Sequence, residues 1–207
     1  MREVFTHIYR TNFWKDKESV SGQGSNLRQT ETIRKVLPTL FDKFHVKSIL
    51  DIPCGDFYWF RQMEFPNGIK YIGADIVPEL LDALWQTFRG VDFRLLDATM
   101  SKLPRVDLIL CRDMLGHFSN ADVKLALNNF KSSGSIYLLA TTFPDRENKG
   151  DIETGQWRPV NLAQYFGLPD PIVIINENSS EGAGKFKDKS LGLWVLNERK
   201  KITVRDN

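Results

Sequence analysis

The chain has 207 residues, of which 42% are hydrophobic and 26% charged, and 28 Lys+Arg against 26 Asp+Glu leave a net charge of +2. That balance is enough for a real core and excludes wholesale disorder. Near-neutrality gives no support to a surface built on duplex backbone contacts, so nucleic acid is not an expected partner.

Residues 1–25 are a polar lead-in ending in Ser21-Gly22-Gln23-Gly24-Ser25, a cluster that reads as a loop. From Asn26 the spacing turns helical: Leu27, Thr30, Ile33, Val36, Leu37, Leu40 and Phe41 recur at threes and fours, with Pro38 inside predicted to bend or split the helix. Strands are predicted at Ser48–Ile52, Lys70–Ala74, Asp92–Leu96, Val106–Cys111, Ser135–Thr141, Ile172–Asn176 and Leu191–Asn197. Helices are predicted at Phe57–Met63, Pro78–Phe88 and Asn120–Lys131, and Ala98–Arg105 reads as a loop. Strands alternating with helices imply βαβ units, and apolar strands without polar alternation imply burial on both faces. The expected fold is α/β: a Rossmann-like, doubly wound, seven-stranded and mostly parallel sheet. Its last two strands form a hairpin-like pair that places an antiparallel strand at the C-terminal edge. A single domain, 1–207, accommodates this, with 1–30 as an N-terminal lid or arm and 31–207 as the core.

Two cysteines, Cys54 and Cys111, make no disulfide framework and read as small buried hydrophobes in a reducing interior. No apolar leader is visible, and the longest apolar stretch, Ile136–Ala140, is too short to cross a bilayer. A cytoplasmic protein without a membrane span is the expectation.

Four successive strands finish in an acid: Asp51, Asp75, Asp97 and Asp113. In an open parallel sheet these ends form one rim, where ligands bind at the switch point. The first runs into Asp51-Ile-Pro53-Cys54-Gly55-Asp56-Phe57, where Gly55 permits close approach to the backbone. Neither a G-x-G-x-x-G nor a P-loop follows any strand, and an acid here suits a cationic group rather than phosphate. Asp75 lies about twenty residues on, where an acid holds ribose hydroxyls.

This pattern resembles the class I S-adenosylmethionine-dependent methyltransferases over roughly Ile33–Asn197. The resemblance implies S-adenosylmethionine as cofactor and S-adenosylhomocysteine as product. It implies that the turn Asp51, Pro53, Cys54, Gly55, Asp56, with Trp59, wraps the methionine part. Asp75 with Ile76 would take the ribose, Asp97 with Ala98 the adenine edge, and Arg112 an acid or the cofactor carboxylate. Asp113 would lie beside the methyl. Separately, Trp14 with Ser21, Gly22, Gly24 and Ser25 reads either as a lid closing over the cofactor or as a disordered arm. The family's Asp-x-Gly-x-Gly-x-Gly is altered, with Pro53 and Phe57 at the first and last Gly. The runs Asp51–Phe57, Cys111–His117 and Asp188–Trp194 are similar to a narrower group, the methyltransferase domain attached to chlorovirus glycosyltransferases. That likeness implies a viral protein of the host cytoplasm, O-methylation of a sugar at a glycan end such as a deoxysugar, and association with a glycosyltransferase polypeptide.

A sugar hydroxyl must lose its proton, and a positioned base contributes roughly 10²–10⁴-fold. His117, four residues after Asp113, is the first candidate and titrates near neutrality; a histidine that bonds a local carbonyl is the other reading. Asp113 is base, orienting group or helix cap. Acceptor contacts are expected from Glu153, Trp157, Arg158 and Asn161, within a loop near 145–165 that otherwise packs on the core. A metal site from Asp113, His117 and Asp145 has no tight ligand spacing, so no metal is expected. The run Lys185–Lys189 and the tail Arg199-Lys-Lys201 read as a solvated face. Alternative acceptors are RNA, protein or a small metabolite, and a non-catalytic cofactor-binding regulatory module is the alternative from another class.

Overall fold

A computed structural model describes residues 1–198. Seven strands form one sheet: β1 (Ser48–Asp51), β2 (Lys70–Asp75), β3 (Asp92–Leu95), β4 (Leu108–Cys111), β5 (Tyr137–Thr142), β6 (Val173–Asn176) and β7 (Ser190–Val195). Their order is β3-β2-β1-β4-β5-β7-β6. The pairings of β1, β2, β3, β4 and β5 are parallel, while β7 runs antiparallel to both β5 and β6. The predicted doubly wound fold is the observed one. The antiparallel strand is the last in chain order, and β6 lies outside it as the edge.

Both faces of the central strands are covered, which is why they read as continuous apolar runs. Ile109 and Cys111 of β4 face the cluster containing Val123, Ala126, Leu127 and Phe130 of α4 (Asn120–Ser132). Leu108 and Leu110 face the opposite cluster, with Ile33, Leu37, Leu40 and Phe41 of α2 (Glu31–Lys43). That alternation is the two-residue period of a strand. Helix α4 opens on Ser119, whose Oγ accepts from Asp122 N–H at 3.2 Å. Helix α3 (Pro78–Thr87) opens with Pro at its first position, where the missing N–H has no cost, and buries Leu80, Leu81 and Leu84.

Three predicted elements change. Helix α2 runs through Pro38 as one element rather than two; four buried side chains on its inner face outweigh the one lost hydrogen bond. The predicted helix Phe57–Met63 is absent, and only a 3-10 turn, Phe60–Gln62, forms there. Phe57 sits at φ +58°, and its ring packs 5.2 Å from Tyr71, 5.4 Å from Phe93 and 5.8 Å from Phe60. Aromatic packing has overridden local helical spacing. The N-terminal lead-in holds a helix, α1 (Arg2–Arg10), which pairs with α3 through Arg10 and Glu79. No helix among the described residues is long and apolar enough to cross a membrane. The basic tail Arg199-Lys-Lys201 lies outside the described residues.

Within β7, Gly192 leaves space for its neighbour on the same face. A Cβ at Gly192 would lie 2.4 Å from the ring of Trp194, which is 1% exposed and donates to Pro169 O at 2.7 Å. Gly192→Ala is therefore expected to cost about 1–3 kcal/mol by overpacking. Urea denaturation would show it as a lower midpoint with an unchanged slope, and an unchanged midpoint would contradict the packing described.

Candidate active site

The sheet order reverses at the β1–β4 boundary, and the crevice opens beyond the carboxyl ends of these strands. A cleft enclosing about 1000 Å³, open solvent at its mouth included, lies there. The structure brings Asp51, Pro53, Cys54, Gly55 and Asp56 to its wall, with Trp59, Asp75, Ile76, Ala98 and Arg112. Met1, Phe5, Tyr9, Trp14, Ser21 and Ser25 of the N-terminal segment face them across it. That segment is tied to the first motif: Asp56 N–H donates to Ser21 Oγ at 3.0 Å, and Val20 N–H donates to Asp56 Oδ2 at 3.0 Å. Gly55, at φ +53°, could carry no side chain here, since a Cβ would lie 2.3 Å from Ser21 Oγ.

A second cavity, of about 980 Å³ on the same measure, adjoins the first. Its walls include Phe13, Gly22, Gly24, Phe143, Trp157, Glu181, Phe186 and Lys189. Trp14, Ser21, Asp113 and His117 line both cavities and so stand at their junction. Trp157 is 42% exposed and is held edge-on by Phe186 at 4.8 Å and Phe143 at 6.0 Å.

Four expected site residues are not brought to either cavity. Asp97 is turned into its own loop, where Oδ1 accepts from Thr99 N–H at 2.8 Å and Thr99 Oγ1 at 2.6 Å. Arg158 is buried, donating to Phe118 O at 2.7 Å and Asn120 Oδ1 at 2.6 Å. Asn161 donates to Pro144 O at 3.0 Å and holds the loop's base. Glu153 is exposed on the loop surface. Asp97, Arg158 and Asn161 instead satisfy backbone and side-chain groups of the surrounding structure.

The carboxylates of the rim differ in charge because their partners differ. Asp51 is buried and accepts a hydrogen bond at Oδ2 from the Tyr71 hydroxyl at 2.8 Å; burial pushes its pKa up to about 8. Burial likewise pushes Asp75 up to about 6, against the pull of the Val77, Gly55 and Ile76 N–H groups. Asp113 is also desolvated, but Arg112 Nη1 at 3.1 Å and Lys189 Nζ at 2.7 Å outweigh that and hold it well below the usual carboxylate range. Its backbone sits at φ +54°, with its N–H donated to Thr141 Oγ1 at 2.9 Å. Asp113, expected as one candidate base, is therefore a permanent anion at neutral pH.

His117 ends the 3-10 turn Leu115–His117. Its Nδ1 lies 3.0 Å from Gln156 O. A carbonyl only accepts, so Nδ1 carries the proton and Nε2 keeps its lone pair. Burial lowers the His117 pKa, against the opposing field of Asp113, and keeps the ring neutral. The ring is flanked by Trp14 at 5.4 Å and Phe5 at 6.5 Å. Among the described residues no group of three or more His, Cys, Asp or Glu side chains is placed to hold a metal ion.

Lys189 was expected on a solvated face. The structure buries it at 4% exposure among Asp113, Glu177 and Glu181. Arg112 is buried beside it, 2.6 Å from Glu177 and donating to Gly24 O at 2.8 Å. Cys54 and Cys111 are free and buried, as expected.

Residues 50–132 match the family described as a methyltransferase domain. Among solved structures the chain is similar to human N-acetylserotonin methyltransferase in complex with SAM, at TM-score 0.65 and 17% identity. That match covers 95% of this chain and 59% of the human one, so the chain spans only part of that protein's length. It is also similar to an S-adenosylmethionine-dependent methyltransferase from Clostridium acetobutylicum, at TM-score 0.61 and 14% identity over 95% and 99% of the two chains. A third is Burkholderia thailandensis 1,6-didemethyltoxoflavin-N1-methyltransferase, at TM-score 0.59 and 14% identity over 96% and 91%. No curated protein matches the sequence. At these identities the likeness is one of fold, and the fold is that of the class I methyltransferases.

The raised carboxyls have a consequence for stability. A folded-state pKa above the ordinary value of about 3.9 means the folded chain holds a proton that the unfolded chain has released. That contribution is present at acid pH and is lost as pH rises, through about 6 for Asp75 and about 8 for Asp51. Asp51→Asn keeps an acceptor for Tyr71 and removes the titration. Its stability relative to the parent is expected to rise between pH 6 and pH 8, by up to ~1.4 kcal/mol per pH unit. Thermal melts of both proteins across that range would show the gap widening; parallel curves would mean Asp51 is ionised when folded.

Proposed function

We propose that the chain is an S-adenosylmethionine-dependent methyltransferase that methylates a hydroxyl of a sugar ring, with His117 as general base. The observation that supports this reading is the junction: two cavities meet, His117 and the anion Asp113 line both, and the contact of His117 Nδ1 with Gln156 O leaves Nε2 its lone pair.

The donor set of the first cleft fits the cofactor. Buried acids at the ends of β1 and β2 suit an ammonium group and ribose hydroxyls, and Arg112 is the cation on the same wall. Ile76, Leu80, Leu96, Ala98 and Phe118 supply an apolar slot for a flat ring. When bound, the cofactor supplies a methyl group activated on a positively charged sulfur. Asp51 in its ionised form would favour such a cation, and Met1, Phe5 and Tyr9 exclude water from above the cleft.

The second cavity suits a sugar. Trp157, braced by Phe143 and Phe186, offers an apolar face for the C–H side of a pyranose, and Glu181 offers an acceptor for hydroxyls. With an acceptor hydroxyl at the junction, its proton would pass to His117 Nε2 as its oxygen took the methyl group, the sulfur–methyl bond breaking to leave neutral S-adenosylhomocysteine. Gln156 O holds the ring's orientation through Nδ1–H, and Asp113 stabilises the imidazolium so formed. The N-terminal segment 1–30 acts in this scheme as a lid over both cavities.

His117→Ala is expected to lower kcat by roughly 10²–10⁴-fold while S-adenosylhomocysteine binding, measured by calorimetry, is retained. The parent enzyme's rate should fall on the acid side with a midpoint below the ordinary histidine value of about 6.5, and that limb should vanish in the variant. Transfer from labelled cofactor to a panel of terminal-sugar glycans, read by mass spectrometry, tests the acceptor. Full activity of His117→Ala would remove the base assignment, and cofactor binding without product from any sugar would remove the acceptor class.

A further inference from the structure

We propose that the cluster Asp113–Lys189–Glu181 selects the acceptor by charge, admitting uncharged polyhydroxyl rings and rejecting acceptors that carry a carboxylate or phosphate. The inference rests on reading the second cavity as the acceptor site.

Asp113, Glu181 and Lys189 all line that cavity. Lys189 Nζ lies 2.7 Å from Asp113 Oδ2, 2.8 Å from Glu181 Oε2 and 4.0 Å from Glu177 Oε2. Arg112 Nη1 adds a contact to Asp113 Oδ2 at 3.1 Å, and Ser179 Oγ donates to Glu181 Oε2 at 3.1 Å. One oxygen of each carboxylate is thereby committed. The other is left over: Asp113 Oδ1 meets only Thr141 Oγ1, at 3.4 Å, and Glu181 Oε1 accepts no hydrogen bond among the described residues. Two carboxylates bridged by one ammonium group through Asp113 Oδ2 and Glu181 Oε2 leave a second oxygen each, and that pair can only accept. Neighbouring hydroxyls of a sugar are donors and match it.

The charges point the same way. Asp113, Glu177 and Glu181 carry three negative charges against the two positive charges of Arg112 and Lys189, leaving one in excess. Lys189 is already shared among three acids and offers little to a fourth. The backbone of the N-terminal loop also closes on the cluster: a Cβ at Gly24 would lie 2.8 Å from Asp113 Oδ2 and 2.9 Å from Lys189 Nζ. Solvent is thus kept from one side, and the excess charge is weakly screened. An anionic acceptor meets repulsion from this cluster, whose Lys189 ammonium is already shared.

The test uses the full chain loaded with S-adenosylhomocysteine and calorimetric titration of matched pairs: methyl glycosides of glucose, galactose and mannose against the corresponding methyl glycuronides. The neutral member should bind at least about 10-fold more tightly in the pairs that bind. Raising the salt from 0.05 to 0.5 M should narrow that ratio. Glu181→Gln removes the excess charge and should bring the ratio towards one, with S-adenosylhomocysteine affinity unchanged as the control for folding. Equal or tighter binding of the glycuronides, or a ratio that neither salt nor Glu181→Gln moves, would overturn charge selection while leaving sugar methylation standing. If no neutral glycoside binds at all, both the selection and the sugar reading fall.

Discussion

Two cations are buried where the central strands end, and every nearby segment is arranged around them. Arg112 and Lys189 are 5% and 4% exposed, and an unmatched charge at such depth costs several kcal/mol. Their partners come from separate parts of the chain: Asp113 follows β4, Glu177 follows β6, Glu181 lies in the turn before β7, and Gly24 O belongs to the N-terminal loop. Apolar packing would tolerate several placements of these segments. Pairing buried charges tolerates far fewer, because each cation needs carboxylates within ion-pair distance. The neutralisation of Arg112 and Lys189 thus draws four segments to one rim and forms the floor between the two cavities.

The same rim keeps carboxyls in opposite states. Asp51, with a phenol for company, holds its proton, whereas Asp113, with a guanidinium and an ammonium, cannot. Burial is common to both, so partner identity decides. His117 completes the division of labour: burial keeps it neutral, and a backbone carbonyl fixes which nitrogen is bare. On the proposed reading, one resident anion beside one neutral imidazole would suit proton removal with the imidazolium stabilised as it forms.

The fold was legible because buried parallel strands announce themselves as short apolar runs, and the acids ending them were legible by position. Asp51, Asp75 and Asp113 reach the crevice because strand ends must. What the sequence concealed was long-range. Lys189 sits in a run of lysines, and its partner Asp113 is 76 positions away; nothing local distinguishes it from its exposed neighbours. Phe57 fitted a helical spacing, but its ring found Tyr71 and Phe93 instead. Arg158 and Asn161 had suitable chemistry for an acceptor loop, yet Arg158 is claimed by the Phe118 carbonyl just ahead of α4 and Asn161 by the Pro144 carbonyl at the loop's base. Residue type shows what a side chain can do, while competition among nearby polar groups decides what it does.

The placement of β7 between β5 and β6 has a consequence for assembly. Strand β6 is synthesised earlier but has no neighbour in the sheet until β7 is made and inserted. The growing chain therefore passes through a stage in which β5 presents an open flank and β6 an unpaired backbone. Closure of that flank is a non-local event that pays loop-closure entropy before gaining its hydrogen bonds. Ile172 and Ile174 remain more than 40% exposed even when the sheet is complete. The order in which the ribosome delivers strands thus makes this side of the sheet the part most dependent on timely completion, and the one most open to mispairing between nascent chains.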